Sequence, residues 1–415
     1  MKLLIRIKPL LTRMGWLGIA EIVIRLTRLI TILAMAHFLS PERFGVAAMG
    51  LVCFELLRAI AQQGVGAKLI AVADDKLARF NRAGFWLNWT AHLCLAAILG
   101  ALAVPLEILF GLKGLAVLLV GFVPSLLLLP IVTIKVINVQ RAQDMRRIGI
   151  FTGVMVSVEN LTIPVALIFG ADIYAICIAK FIAASVWVFC WLRVRHPVPM
   201  AEPLVRDYCD LLKFAGTVTA SETTKAMRGH FDVIIAGLFL APTQFGFYTF
   251  AKNAGVGLSI AVVNAANTVV YPWFSRLREA RVEDDGRQIA FALALGLCLV
   301  FVMQALMSLW YVPFFFDDVW HDAAFYVALI CLSAVPRCVI DVRGIWLRAM
   351  VSPAEELLLH MRNTAIFILC LLVLVTVLDV SGALTFAICL TISHLIALAG
   401  WQRFPASIGV SYERT

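Results

Sequence analysis

The sequence specifies an all-α polytopic membrane protein, with about twelve transmembrane helices in two six-helix lobes related by a parallel internal repeat. Three observations point there. Of the 415 residues 62% are hydrophobic and only 15% are charged, against about a quarter charged in a soluble domain. Apolar runs follow one another along the whole length. A short polar corner is also written twice, as FLSPERFG at Phe38 to Gly45 and FLAPTQFG at Phe239 to Gly246, with five of eight positions identical.

A barrel strand would alternate over about ten residues, whereas these runs stay apolar for about twenty, enough to cross roughly 30 Å of hydrocarbon as a helix. Spans are expected at 16–38, 44–62, 85–104, 114–138, 148–169, 173–192, 214–240, 244–272, 289–312, 323–342, 363–380 and 383–402. Residues 1–13 read as a basic amphipathic helix on the inner surface. With Ala34-Met35-Ala36 they imitate a secretory signal, but Glu21, Arg25 and Arg28 interrupt its apolar stretch. Pro41 and Pro242 stop the helix before each corner, and the Gly of Phe-Gly lets the next helix start close to a neighbour. Pro197, Pro199, Pro203 and four basic residues mark 193–213 as an inner-face linker between a 1–192 lobe and a 214–402 lobe, with 403–415 a tail. No stretch outside the spans exceeds about 22 residues, which leaves no room for an ATPase or glycosyltransferase domain.

The net charge of +9 reports topology. Segments 1–15, 63–84, 135–147, 193–213, 272–288, 343–362 and 403–415 hold 25 of the 35 Lys and Arg, and the opposite loops hold only Arg43 and Lys113. That asymmetry predicts N-in and C-in, with the basic face on anionic headgroups rather than on nucleic acid. Six crossings per half return the chain to the same side, so the repeat is parallel and its axis runs along the membrane normal, a transporter arrangement. The ten cysteines are scattered without paired spacing and read as packing residues.

Ionisable residues inside spans are functional candidates, because an unpartnered charge there costs several kcal/mol. Glu21, Arg25 and Arg28 share one face of the first span, and Glu55, Arg58 and Gln62 share one face of the second. Ser221, Lys225, Arg228 and Asp232 form a stripe on the seventh, with Glu222 beside it, and the eighth carries Lys252, Asn264 and Asn267. Counted back from the corner prolines, Arg25 and Arg28 match Lys225 and Arg228 in depth, about 20–25 Å from the outer end at 1.5 Å per residue. Five cations, Arg25, Arg28, Arg58, Lys225 and Arg228, are expected to converge on a cavity in the inner half of the membrane, with Lys252 higher up. Local pairing explains some of them equally well: Glu21 with Arg25, Glu55 with Arg58, Glu222 with Lys225, Arg228 with Asp232. It does not explain why they concentrate in matching helices of the two halves. Arginine suits bidentate capture of phosphate oxygens, so the expectation is an anionic, phosphate-bearing substrate.

Glu159 and Lys180 are expected either to pair or to line the cavity rim. Arg337 and Asp341 are four apart where snorkelling also explains them. Asp317, Asp318, His321 and Asp322 read as an exposed outer loop rather than a cation site. Sequons at Asn88 and Asn160 fall inside spans. No P-loop, dinucleotide fingerprint, nucleophile elbow or zinc spacing occurs.

Two stretches carry a family resemblance. LSPERFGVAAMGLVCFELLRAIAQQGVGAKLI, 39 to 70, resembles the first hairpin of bacterial polysaccharide-biosynthesis flippases of the multidrug/oligosaccharidyl-lipid/polysaccharide exporter superfamily. FDVIIAGLFLAPTQFGFYTFAKNAGVGLSIAVVNAANTVVYPWFSRL, 231 to 277, resembles their second-half counterpart, with its opening Asp232, the Gly-x-Tyr of Gly246 and Tyr248, and a proline before Ser-Arg-Leu. The resemblance implies a V-shaped pair of lobes in the bacterial inner membrane that moves an undecaprenyl-pyrophosphate-linked oligosaccharide, of the O-antigen or exopolysaccharide kind, from the inner to the outer leaflet. Relatives bear cavity arginines on the first, second and eighth helices, which Arg25 or Arg28, Arg58 and Lys252 match in place; here the eighth-helix residue is lysine and lies near the outer end.

The resulting expectation is a flippase working by alternating access, a transporter rather than an enzyme, without cofactor. Glu21, Glu55, Glu222 and Asp232 are the candidates for H+ or Na+ coupling. Partners are the lipid-linked oligosaccharide and membrane lipids, with a polysaccharide polymerase and chain-length proteins as candidates. A peptidoglycan lipid-precursor flippase and a multidrug exporter stand as alternatives: the first commonly carries two further helices, and the second calls for a net negative cavity when its drugs are cations. A membrane-bound polymerase or glycosyltransferase would need a large outer loop, and none exceeds about ten residues.

Overall fold

The computed structural model describes residues 23–142, 144–257, 283–350, 353–378, 380 and 382–399. Glu21, the 1–13 segment, Asn264, Asn267 and the 403–415 tail lie outside them, as do the side chains of Gln62, Ser221, Glu222, Lys225 and Arg228. The described residues form helices and their connections. α1 covers 23–38, followed by α2 (Pro41–Ala71), α3 (Asp74–Phe110), α4 (Leu115–Leu128), α5 (Pro130–Arg141), α6 (Met145–Ile168), α7 (Tyr174–Leu192), α8 (Val205–Phe239) and α9 (Pro242–Ala254). The others are α10 (Glu283–Phe315), α11 (Ala323–Met350), α12 (Pro353–Val377) and α13 (Ala383–Ala399).

Among the described residues six helices are long and apolar enough to cross a membrane, seven if α4 and α5 count as one span. That pair is bent by 52° where one straight fourth span was expected. Pro130 is the cause: it has no N–H to give to the preceding turn, and its ring displaces the carbonyl four residues back. Helices also run past the expected membrane ends. α2 continues to Ala71 and α3 starts at Asp74, so most of the expected 63–84 loop is helix. Arg141 makes the abrupt junction stable, donating from Nη1 to the carbonyls of Leu69 and Val72 and from Nη2 to Asp74 Oδ1. Likewise α8 begins at Val205 rather than at residue 214.

Two compact units result. One comprises the chain through Leu238 together with Pro242–Thr249; the other comprises Phe239–Ala241 and the chain from Phe250 onward. In the first, α2 packs on α3, α4 and α5, and α7 packs on α4 and α6. One cluster of its core consists of Leu69, Phe80, Ala83, Ile134, Ile137 and Leu211, which come from α2, α3, α5 and α8. Asn160 of α6 donates to Thr27 Oγ1 and the Ile24 carbonyl, while Thr31 donates to the Asn160 carbonyl at 2.7 Å; this sequon asparagine fastens α1. In the second unit α11 packs on α10, α12 and α13. The expected eighth span is interrupted at Gly255, and the carbonyls this releases are taken by Gln304, which donates to Ala254 and Gly255, and by Tyr311, which donates to Ala254.

The proline-to-glycine parts of the two corners, 41–45 and 242–246, meet inside the first unit. Each proline opens the following helix at its first turn, where its missing N–H costs nothing. A Cβ on Gly45 would lie 2.9 Å from Phe245 Cδ1, and one on Gly246 would overlap the carbonyl of Pro41. The expected close neighbour of each corner is therefore the other corner. Residues that the repeat does not share complement each other: Thr243 Oγ1 donates to Glu42 Oε1 at 2.6 Å, across equivalent positions 201 residues apart. Gly246→Ala should destabilise the protein by about 1–3 kcal/mol through overpacking. Gly100→Ala, where an added Cβ meets nothing within 4 Å, should be neutral or stabilising. Thermal melting of both variants in detergent checks the contrast.

Candidate functional site

Four charges expected inside spans form one chain in the first unit. α2 places Glu55 and Arg58 one turn apart, and Arg58 donates from Nε and Nη2 to Glu55 Oε2 at 3.1 and 2.8 Å. The other oxygen, Oε1, lies 3.5 Å from Lys180 Nζ of α7. Lys180 in turn meets Glu159 Oε1 of α6 at 2.7 Å and lies over the Phe54 ring, 4.8 Å from its centroid. The order is cation, anion, cation, anion. Side-chain exposure is 36% at Arg58 and 33% at Glu55 but only 9% at Lys180 and 15% at Glu159.

The pairing reading of the sequence holds for both couples. Glu55 does pair locally with Arg58, and Glu159 does pair with Lys180, but the two pairs are joined. The signal for the join was absent from any one segment, because residues 55, 159 and 180 lie on three helices whose mutual rotation no local spacing sets. Lys180 was the informative residue: a lysine in an otherwise apolar run stays charged only when carboxylates surround it.

The remaining candidates are dispersed. Arg25 is half-buried and Arg28 exposed on α1, and both have interaction partners. Glu222, Lys225 and Arg228 lie on the helical backbone of α8. Asp232, on the same helix, is buried and accepts a hydrogen bond from the Tyr248 hydroxyl of α9 at 2.5 Å. The sequence offered a signal for this pair, since the two residues stand at similar distances on either side of the helix break between Phe239 and Pro242. Lys252 is half-buried in the last turn of α9, where the carbonyl end of a helix favours a cation. In the second unit Arg337 lies 4.0 Å from Asp341, and His321 lies 3.6 Å from Asp318 in a turn.

Such a chain can present a guanidinium to an anion while keeping every member paired. The energetics differ along it. Removing one partner of a buried ion pair costs about 3–5 kcal/mol, because the other charge is stranded; an exposed pair contributes about 1 kcal/mol or less. Lys180→Met should therefore lower the melting temperature in detergent clearly, Lys180→Met with Glu159→Gln should recover most of the loss, and Arg58→Met should change it little.

Comparison with known proteins adds the following. A family model described as polysaccharide biosynthesis protein matches residues 34–325. The chain is 21% identical over 306 residues to the succinoglycan biosynthesis transport protein ExoT of Rhizobium meliloti (strain 1021), covering 73% of this chain and 60% of that protein's length. The structure is similar to that of a lipid II flippase, MurJ, in an inward closed conformation, with a TM-score of 0.73, 13% identity and coverage of 94% of this chain and 88% of the other. It is also similar to an inward-facing multidrug resistance MATE family transporter of the MOP superfamily, with a TM-score of 0.69, 13% identity and coverage of 91% and 92%. At 13% identity these two likenesses speak for the fold.

Proposed function

This chain belongs to the family of polysaccharide biosynthesis proteins, and we propose that it is a multi-pass flippase of the bacterial inner membrane that moves an undecaprenyl-pyrophosphate-linked oligosaccharide from the inner to the outer leaflet. The observation that carries the reading is the intramembrane chain that ends in Arg58. A guanidinium held on one carboxylate, with its outer edge accessible, suits the oxygens of a pyrophosphate. The isoprenoid would stay in the bilayer while pyrophosphate and sugars pass. Arg25, Arg28, Lys225, Arg228 and Lys252 are proposed as further contacts along the route, and Glu21, Glu55, Glu222 and Asp232 as groups that could couple H+ or Na+.

Twelve crossings in two parallel six-helix lobes, N-in and C-in, working by alternating access, belong to the same proposal. Opening of such lobes would have to part the packed corners, whose glycines admit no side chain and across which Thr243 donates to Glu42. A polysaccharide polymerase and chain-length proteins are proposed partners, and no cofactor is required.

Leaflet accessibility of a defined lipid-linked oligosaccharide in proteoliposomes tests the function. Wild type should translocate it, and Arg28→Ala, Arg58→Ala and Arg228→Ala should each lose at least ten-fold in rate at normal protein levels. Movement of lipid II in preference to the oligosaccharide would assign the chain to the peptidoglycan precursor instead. For the corners, Glu42→Cys with Thr243→Cys, in a chain whose ten native cysteines are replaced, should be joined by a short bifunctional thiol reagent and stop transport until the link is cleaved. Undiminished transport by the linked protein would rule out opening at this contact.

A further inference from the structure

We propose that Lys180 is a positioning residue that frees Arg58 for an anionic phosphate by taking over the carboxylate of Glu55. The inference rests on the anion reading of Arg58 given above and deepens it. Glu55 has two cationic neighbours, one on each oxygen: Arg58 holds Oε2 with two hydrogen bonds, and Lys180 stands 3.5 Å from Oε1. A phosphate arriving at Arg58 competes with Glu55 for the same guanidinium. Were Arg58 the carboxylate's sole partner, its departure would leave a half-buried anion unpaired inside a span, and the exchange would be blocked. With Lys180 in place, Glu55 has only to close by about 0.7 Å to reach the 2.7–2.9 Å of a charge-assisted hydrogen bond.

Lys180 is built for this exchange. Its ammonium has three donors on one compact charge. One is engaged by Glu159 at 2.7 Å, the Phe54 ring covers a second side at 4.8 Å, and Glu55 stands within reach of the third. Glu159 holds the ammonium in position when Glu55 is turned to Arg58, which explains why two carboxylates flank one lysine. The four charges sum to zero, so an incoming phosphate meets no net repulsion from the cluster as a whole. No proton need move, and the exchange consists of a change of partners.

The experiment is a mutant cycle read by binding of inorganic pyrophosphate to purified protein, with leaflet transport as a second readout. Glu159→Gln with Lys180→Met neutralises the buried pair without stranding a charge, and its melting temperature reports that it is folded. In that background Arg58 is locked onto Glu55, so pyrophosphate should bind at least ten-fold more weakly than to wild type. Adding Glu55→Gln should restore binding at least ten-fold, a larger gain than Glu55→Gln gives in the wild-type background, the non-additivity expected of residues that share a partner. An equal effect of Glu55→Gln in both backgrounds would mean simple removal of a negative charge and would overturn the proposal. So would wild-type affinity in the Lys180→Met, Glu159→Gln protein, or a wild type that binds no pyrophosphate. Should wild type bind pyrophosphate with this pattern and yet fail to move lipid-linked oligosaccharide, the transport reading would fall while the exchange stands.

Discussion

Hydrocarbon offers a backbone amide nothing to bond to, and most of this architecture is a way of meeting that constraint. Helices satisfy it along their length, so attention falls on the places where the ladder breaks. Several of the described breaks have a dedicated side chain. At the end of α9 the carbonyls of Ala254 and Gly255 receive Gln304 and Tyr311; at the end of α7 Lys135 donates to Trp191 and Val194; and at the start of α4 the Ala116 N–H finds Glu107. These partners come from other helices or distant turns, so closing the backbone account also fixes how neighbouring helices dock.

The same low dielectric governs the charges. An isolated carboxylate or ammonium within a span is costly, which pushes every ionised group toward a partner and makes partner exchange more natural than release. Glu55, between Arg58 and Lys180, stands where a functional demand and an electrostatic one coincide. A single tight pair would be stable and inert. Two cations of unequal reach on one carboxylate leave a way for the accessible one to be borrowed.

The corners follow a different logic, that of backbone approach. Proline and glycine recur in both copies because the geometry recurs: a helix must start at once, and another backbone must come within contact distance. Glu42 and Thr243 diverge because they face each other, and a hydrogen bond across a pseudo-symmetric contact needs a donor on one side and an acceptor on the other. Divergence within the repeat thus carries as much structural information as identity. Among the larger side chains, Phe245 fills the space that Gly45 leaves.

The sequence by itself determined the helical class, the membrane setting, the doubled corner and the residues able to bear charge within spans, since each depends on local composition or periodicity. Asp232 and Tyr248 were nearly legible too, because a tight helix break brings residues at similar distances along its two arms together. Local pattern was silent on Lys180 joining Glu55, on Arg141 closing the α2 to α3 junction and on the bend at Pro130 being 52°. Those facts turn on how helices are rotated and stacked against one another. Rotation is set by the summed packing of many distant side chains, such as the Leu69, Phe80 and Ile134 cluster, and only the tertiary structure decides that sum.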